Sequence, residues 1–257
     1  MAPNGTVVVP FETINGNISA FRSTDGGQSW SQAATVSRIA FHPVAGNLRT
    51  SPLPTAEVDG AGNVYVAWED CRFRAGCSSN DIVFSRSADG ATWPAVFRVP
   101  IDDVTTTVDH FIPGLGVDRA TAGAGAHLAL TYYYYPDAAC TAATCQLDVG
   151  FISSPNGGAN WGTATQLAGP MSLADIADTS QGPMVGDYIS TSFTSTGTAS
   201  TVFAVGKPHT AAFDEAMYSP GPLSVASASA ATLVASSDRV LTPATGQGLG
   251  AAVIHRE

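Results

Sequence analysis

One eight-residue stretch, Ser23-Thr-Asp-Gly-Gly-Gln-Ser-Trp30, limits what this chain can fold into. Its Asp hydrogen-bonds local backbone, its paired glycines reach positive φ without strain, and its Trp anchors the turn to a core. The stretch recurs. Ser87-Ala-Asp-Gly-Ala-Thr-Trp93 is one residue shorter, and Ser154-Pro-Asn-Gly-Gly-Ala-Asn-Trp161 keeps the length with Asn156 in the Asp position. The three tryptophans stand at 30, 93 and 161, separations of 63 and 68 residues. A tight turn repeated at near-constant spacing between strands predicts a repeat architecture, an all-β β-propeller.

These three stretches resemble the Asp-box (BNR) repeat of the sialidase superfamily, over roughly residues 1–220. The resemblance implies four-stranded blades, with each box joining a third strand to a fourth on the face away from the active site. It therefore speaks for the fold rather than the chemistry. About four blades are expected. Gly5-Thr-Val-Val-Val-Pro-Phe-Glu12 parallels Gly62-Asn-Val-Tyr-Val-Ala-Trp-Glu69, but only the second copy is preceded by a further strand, 55–59. The first blade (6–12, 18–22, 33–38) is thus expected to be incomplete, as in a truncated parent. Blade two takes 55–59, 64–69, 82–86 and 96–99; blade three takes 114–118, 127–135, 147–153 and 165–167. Blade four takes 186–193, 201–205 and 216–219. Residues 1–222 form the propeller, and the Ala/Ser-rich tail, 223–257, is a candidate for closing it. Open blade edges predict self-association, as a homo-oligomer such as a dimer.

A net charge of −10 and a single lysine, Lys207, exclude a basic nucleic-acid footprint and binding to anionic membranes. No apolar run is long enough to span a bilayer. The cysteines fall in two close pairs, Cys71/Cys77 and Cys140/Cys145, with no helper His beside them. Two small disulfide loops and a secreted protein follow, although residues 1–6 carry no signal peptide.

Loops on one face of such a fold gather titratable side chains. Trp68-Glu-Asp-Cys-Arg72, Asp109-His-Phe-Ile-Pro113 and Gly186-Asp-Tyr188 stand out, each placing acids where blades converge. Converging carboxylates repel unless a cation sits among them, so Glu12, Asp70, Asp109 and Asp187 are candidate ligands of a divalent ion, most simply Ca2+. His110 and His209 are candidate bases, with Asp109 and Tyr188 beside them. Arg49, Arg72 and Tyr135 are candidate substrate contacts. The resemblance implies, for a true sialidase, three arginines clamping a carboxylate, a Tyr–Glu nucleophile pair and an Asp acid/base. Tyr134 or Tyr135 with Glu69 would supply such a pair, while the Arg-Ile-Pro motif of the first sialidase blade is absent. Three functions stay open: a cation-dependent hydrolase of small esters, phosphoesters or glycosides; a non-catalytic glycan- or protein-binding module; and a structural part of a larger surface protein. Exo-sialidase activity is a narrower form of the first.

Overall fold

The computed structural model describes residues 1–225 and two short strands beyond them, Ala231–Thr232 and Ala235–Ser236. The remaining tail, and with it most of the expected closing segment, lies outside the described residues. Among the described residues, four antiparallel sheets of three or more strands follow one another along the chain. The first holds β1 (Val7–Thr13), β2 (Asn17–Ser23) and β3 (Ala34–Arg38). The second holds β4 (Thr55–Val58), β5 (Val64–Asp70), β6 (Asp81–Ser87) and β7 (Val96–Arg98). The third holds β8 (Asp109–Val117), β9 (Leu128–Tyr135) and β10 (Gln146–Ser154). It is completed by β12 (Thr165–Ser172), reached through the two-residue β11 (Asn160–Trp161). After the short hairpin β13 (Asp178–Thr179) and β14 (Gly182–Pro183) comes the fourth sheet: β15 (Ser190–Phe193), β16 (Ala199–Lys207) and β17 (Asp214–Tyr218). Helix is confined to single 3-10 turns among the described residues. The chain is all-β, an arrangement of successive antiparallel sheets consistent with a β-propeller.

Each sheet buries a face against the next. Ile18, Val66, Trp68 and Val83 fill the space between the first and second sheets. Tyr65, Phe84, Leu130 and Trp161 fill that between the second and third, and Phe111, Tyr133, Leu147 and Phe203 that between the third and fourth. The period-2 alternation of each strand assigns its residues to these two faces. Along β5, Val64, Val66 and Trp68 point one way and Tyr65 and Ala67 the other. The inner strands pack against one another, β4 on β8 and β8 on β15. The last contact requires Gly114, because a Cβ there would stand 2.7 Å from the Ile189 carbonyl oxygen.

The three repeated turns share one hydrogen-bond scheme. In the first, Gly27 N–H donates to Ser23 Oγ (2.8 Å) and Ser29 N–H to Asp25 Oδ1 (2.9 Å). In the third, Gly158 N–H donates to Ser154 Oγ (3.0 Å) and Asn160 N–H to Asn156 Oδ1 (2.8 Å). The amide oxygen of Asn156 accepts what the carboxylate accepts in the first copy, so the substitution leaves the turn intact. In the shorter second copy, Gly90 N–H and Thr92 N–H take the equivalent roles.

Two features depart from the sequence reading. The first strand of the third sheet begins at Asp109 rather than 114, so Asp109 and His110 lie on a strand, not in the loop that enters it. A register shift between Phe111 and Gly114 bulges Ile112 and Pro113 out of the ladder, which is how a proline fits within a buried strand. The described tail strands do not join the first sheet: Ala231–Thr232 pairs with Asn160–Trp161, and Ala235–Ser236 adds a fifth strand outside β7.

The motif tryptophans differ in burial, 1% exposed for Trp161 and 44% for Trp30. Trp161→Ala is expected to cost about 3–5 kcal/mol and Trp30→Ala about 1 kcal/mol or less. Thermal melts of the two variants check the difference.

Candidate active site

Strand register carries a set of polar residues to the end opposite the repeated turns. Val64 pairs with Ser87, at the start of a turn, whereas Asp70 pairs with Asp81 at the far end. Leu128 likewise pairs with Val117, and Tyr135 with Asp109. Glu12, pairing Ile18, occupies the same end of the first sheet.

Alternation separates Glu69 from its neighbour Asp70. Glu69 falls on the face of β5 that meets the third sheet, where its Oε2 accepts the Ile112 backbone N–H at 2.8 Å. Ile112 holds φ 48°, left-handed backbone that a β-branched residue seldom adopts. The bulge thus turns a main-chain donor toward a buried carboxyl. Glu69 is fully buried and its Oε1 has no hydrogen-bond partner among the described residues. Burial pushes its carboxyl well above the usual 4.5, and the charges of Asp109 and Glu12 add to the push.

Asp109 is equally buried. Its Oδ1 accepts from both the backbone N–H (2.7 Å) and the side-chain amide (2.9 Å) of Asn80, while Oδ2 stays unpartnered. Desolvation raises this carboxyl, opposed by the Asn80 hydrogen bonds and by the His42 and Arg74 charges. Tyr135, its cross-strand partner, is buried with an unpartnered hydroxyl, and burial beside Asp109 raises its pKa. Glu12 is half-buried, and burial raises it as well. The set is therefore two enclosed carboxyls with one open oxygen each, an enclosed phenol, and a third acid at the solvent side.

A second cluster backs the first and is electrically balanced. Arg74 Nη2 donates to Asp81 Oδ1 and Asp102 Oδ1, each at 2.7 Å, and Arg98 Nη2 donates to Asp102 Oδ1 at 2.6 Å. Arg98 also lies 2.8 Å from Asp81 Oδ1. Asp81, Asp102 and His110 bring ligand atoms within 4.8 Å of one another, a spacing that suits a cation. The two guanidiniums already supply two positive charges there, so a cation would meet like charge.

The other expected site residues go elsewhere. Asp70 faces the first sheet, where Arg72 Nε donates to it (2.9 Å), as do Trp68 Nε1 (3.2 Å) and the Ala40 N–H (3.1 Å). Arg72 also reaches Ser37 Oγ at 2.9 Å and the Arg38 carbonyl. Asp187 pairs with Arg49 at 3.1 Å on the half-exposed rim, and Tyr188 beside it is 60% exposed. His209 Nδ1 stands 3.9 Å from Asp175 Oδ1. Among the described residues, no hydrogen bond or ion pair links Asp70, Asp187, Tyr188 or His209 to Asp109. The four acids expected to share a cation are thus divided among separate partners. Asn80 is an addition, while Glu69 enters here with a partner, Ile112, other than the tyrosine expected for it. Glu69 was signalled by its match to Glu12 in the repeated strand, whereas no sequence pattern singled out Asn80.

No protein family and no curated protein is matched by this sequence. Among solved structures, an α-L-arabinofuranosidase from Fusarium graminearum in complex with an iminosugar inhibitor is 14% identical. That match covers 77% of this chain and 55% of the other, at a TM-score of 0.46. The GH93 α-L-arabinofuranosidase of the same fungus with arabinobiose is 15% identical over 86% of this chain and 61% of its own, at 0.45. A Hadza microbial sialidase is 13% identical over 74% and 40%, at 0.38. The chain spans less than two thirds of the length of each of these proteins.

His110 is fully buried and desolvation lowers its pKa from 6.5 to about 4. A base with a depressed folded pKa gives stability that is complete above 6.5 and is lost as pH falls toward 4. The loss is expected to reach about 3 kcal/mol. Denaturant melts between pH 7 and 4 should show it in the native protein and not in His110→Gln.

Proposed function

We propose that this protein is a glycoside hydrolase whose reacting groups are Glu69 and Asp109. The observation that carries the reading is their pairing: two enclosed carboxyls, each holding one oxygen in a hydrogen bond and leaving the other open. Two interacting carboxyls buried together do not ionise together, and their environments assign the roles. Glu69 takes one backbone donor and feels two other acids, so it keeps its proton and acts as general acid on the leaving oxygen. Asp109 takes two donors and faces His42 and Arg74, so it is the carboxylate that attacks the anomeric carbon or activates a water. Tyr135, in register with Asp109, adds a buried hydroxyl that has no partner among the described residues.

Charge selects the substrate class. Phosphate monoesters and diesters, being anions, are repelled by the acids. A sialoside needs free arginines, yet Arg72 is tied to Asp70, Arg74 to Asp81 and Asp102, and Arg49 to Asp187. A neutral sugar meets neither obstacle. Glu12 is the half-exposed member of the set, and a sugar would approach from its side. The same reading takes the four sheets as consecutive propeller blades, and the two disulfides, both formed, as the mark of an extracellular protein. No helix among the described residues is long and apolar enough to cross a membrane.

The test is turnover of a panel of neutral aryl glycosides, a sialoside, an aryl ester and a phosphotriester, each with and without EDTA. Cleavage of a neutral glycoside in EDTA is expected. Turnover lost to EDTA and restored by Ca2+ would replace the reading with a cation-dependent hydrolase, and binding to immobilised glycans without turnover would replace it with a binding module.

Glu69→Gln keeps an acceptor for the Ile112 N–H and removes the proton donor. It is expected to lower kcat roughly 10²- to 10⁴-fold. A carboxyl whose folded pKa is raised gives stability that is present below its ordinary 4.5 and lost as pH rises through the folded value. The variant escapes that loss, so at pH 7–8 it should melt higher than the native protein while hydrolysing less.

A further inference from the structure

Asn80 is fully buried just before β6, three residues beyond the Cys71–Cys77 disulfide, and every polar group it owns is committed. Its backbone N–H and its amide both donate to Asp109 Oδ1. The amide also donates to the His42 carbonyl (2.7 Å), and Oδ1 accepts the His42 N–H (2.8 Å). Its carbonyl accepts the His110 N–H at 3.0 Å. His42 Nδ1 in turn meets the Cys77 carbonyl at 2.9 Å. One side chain therefore joins the disulfide loop, the segment that leads into β4, and the first residue of β8.

We propose that Asn80 is a positioning residue for the hydrolytic pair: by occupying Asp109 Oδ1 twice it leaves Oδ2 as the one oxygen free to react and fixes the direction in which it faces. This rests on the assignment of Asp109 as the reacting carboxylate. The alternative, a residue that only ties the loop to the sheet, would need the His42 contacts and gains nothing from a second donor on Asp109. Two donors on one oxygen also favour the charged form of the carboxyl. The groups that face Asp109 are Glu69 on β5, with Glu12 behind it, Tyr135 on β9, His42, and Arg74 from the disulfide loop. Of these only His42 and Arg74 favour its ionised state, so the Asn80 amide is the group whose loss shifts the proton balance toward Asp109.

The experiment compares the native protein with Asn80→Ala and Asn80→Asp. The second keeps the acceptor for the His42 N–H and the shape of the side chain, but turns a carboxylate toward Asp109 in place of a donor. Both variants are expected to lower kcat ~10- to 100-fold at pH 6 with KM little changed. The acidic limb of kcat/KM should move roughly one pH unit upward, more in Asn80→Asp than in Asn80→Ala, so that activity partly returns at pH 8. A drop in melting temperature with kcat and the limb unchanged would overturn the proposal and leave a structural tie. Should the native protein hydrolyse no glycoside, carbon-13 titration of the Asp109 carboxyl decides independently. A midpoint raised in Asn80→Ala supports the positioning role without the hydrolase reading, and an unmoved midpoint overturns it.

Discussion

The hydrogen bond from Ile112 N–H to Glu69 Oε2 joins the second sheet to the third at the point where the two acidic residues meet. Burying a carboxyl is unfavourable unless donors replace the lost water. The donor here is main chain, and it becomes available only because β8 bulges and Ile112 enters left-handed backbone. A regular β8 would direct that N–H into its own ladder and leave Glu69 with no partner at all. The strained residue and the buried acid thus account for each other. Nothing in sheet packing alone requires either, since Leu115 and Val117 on the same strand pack without a bulge.

Two buried polar clusters lie within a few residues of each other and differ in one respect. Around Asp81 and Asp102, two carboxylates meet two guanidiniums, and Thr106 adds a hydroxyl donor to Asp102. That set is neutral, and removing one member would leave an uncompensated charge. Around Glu69 and Asp109, carboxyls meet carboxyls, with donors on one oxygen of each. Such a set is stable only with a proton retained, a poor choice for stability and a useful one for proton transfer. His110, adjacent to Asp109, belongs to the first set, with its ring 5.5 Å from that of Tyr132. The two clusters thus meet at Asp109 and His110, adjacent residues of β8 that belong one to each.

Much of this was legible in the sequence, and what was not has a physical reason. The spacing of three turns marked the first three sheets, because a Ser-x-Asp-x-Gly turn needs only its local hydrogen bonds to form. The site was legible only as a region. Glu69 and Asp70 are neighbours in sequence, yet strand alternation sends one to Ile112 and the other to Arg72, so a reading by proximity chose Asp70 for a cluster it does not join. Asp109 was legible as one acid of that region, but Pro113 hid the strand that carries it. Asn80 was invisible: an amide between a disulfide loop and a strand has no pattern, and its meaning appears only once His42 and Asp109 are brought to it. The cation expected among four acids rested on their convergence, and Arg49 and Arg72 hold two of those acids apart from the others.

The opposite pKa shifts of neighbouring residues bound, from both sides, the pH range in which this end of the protein is most stable. His110 is held neutral by burial and loses native stability as the solution turns acidic. Glu69 and Asp109 are held partly protonated by burial and lose native stability as it turns basic. Between these limits burial favours the protonated form of the carboxyls and the neutral form of the imidazole beside them. Relieving either penalty by a neutral substitution would strengthen the fold and remove the protonation difference that acid–base chemistry uses. The burial that makes this end of the protein less stable is therefore the same burial that sets otherwise similar carboxyls apart, the difference the proposed acid–base pair would use.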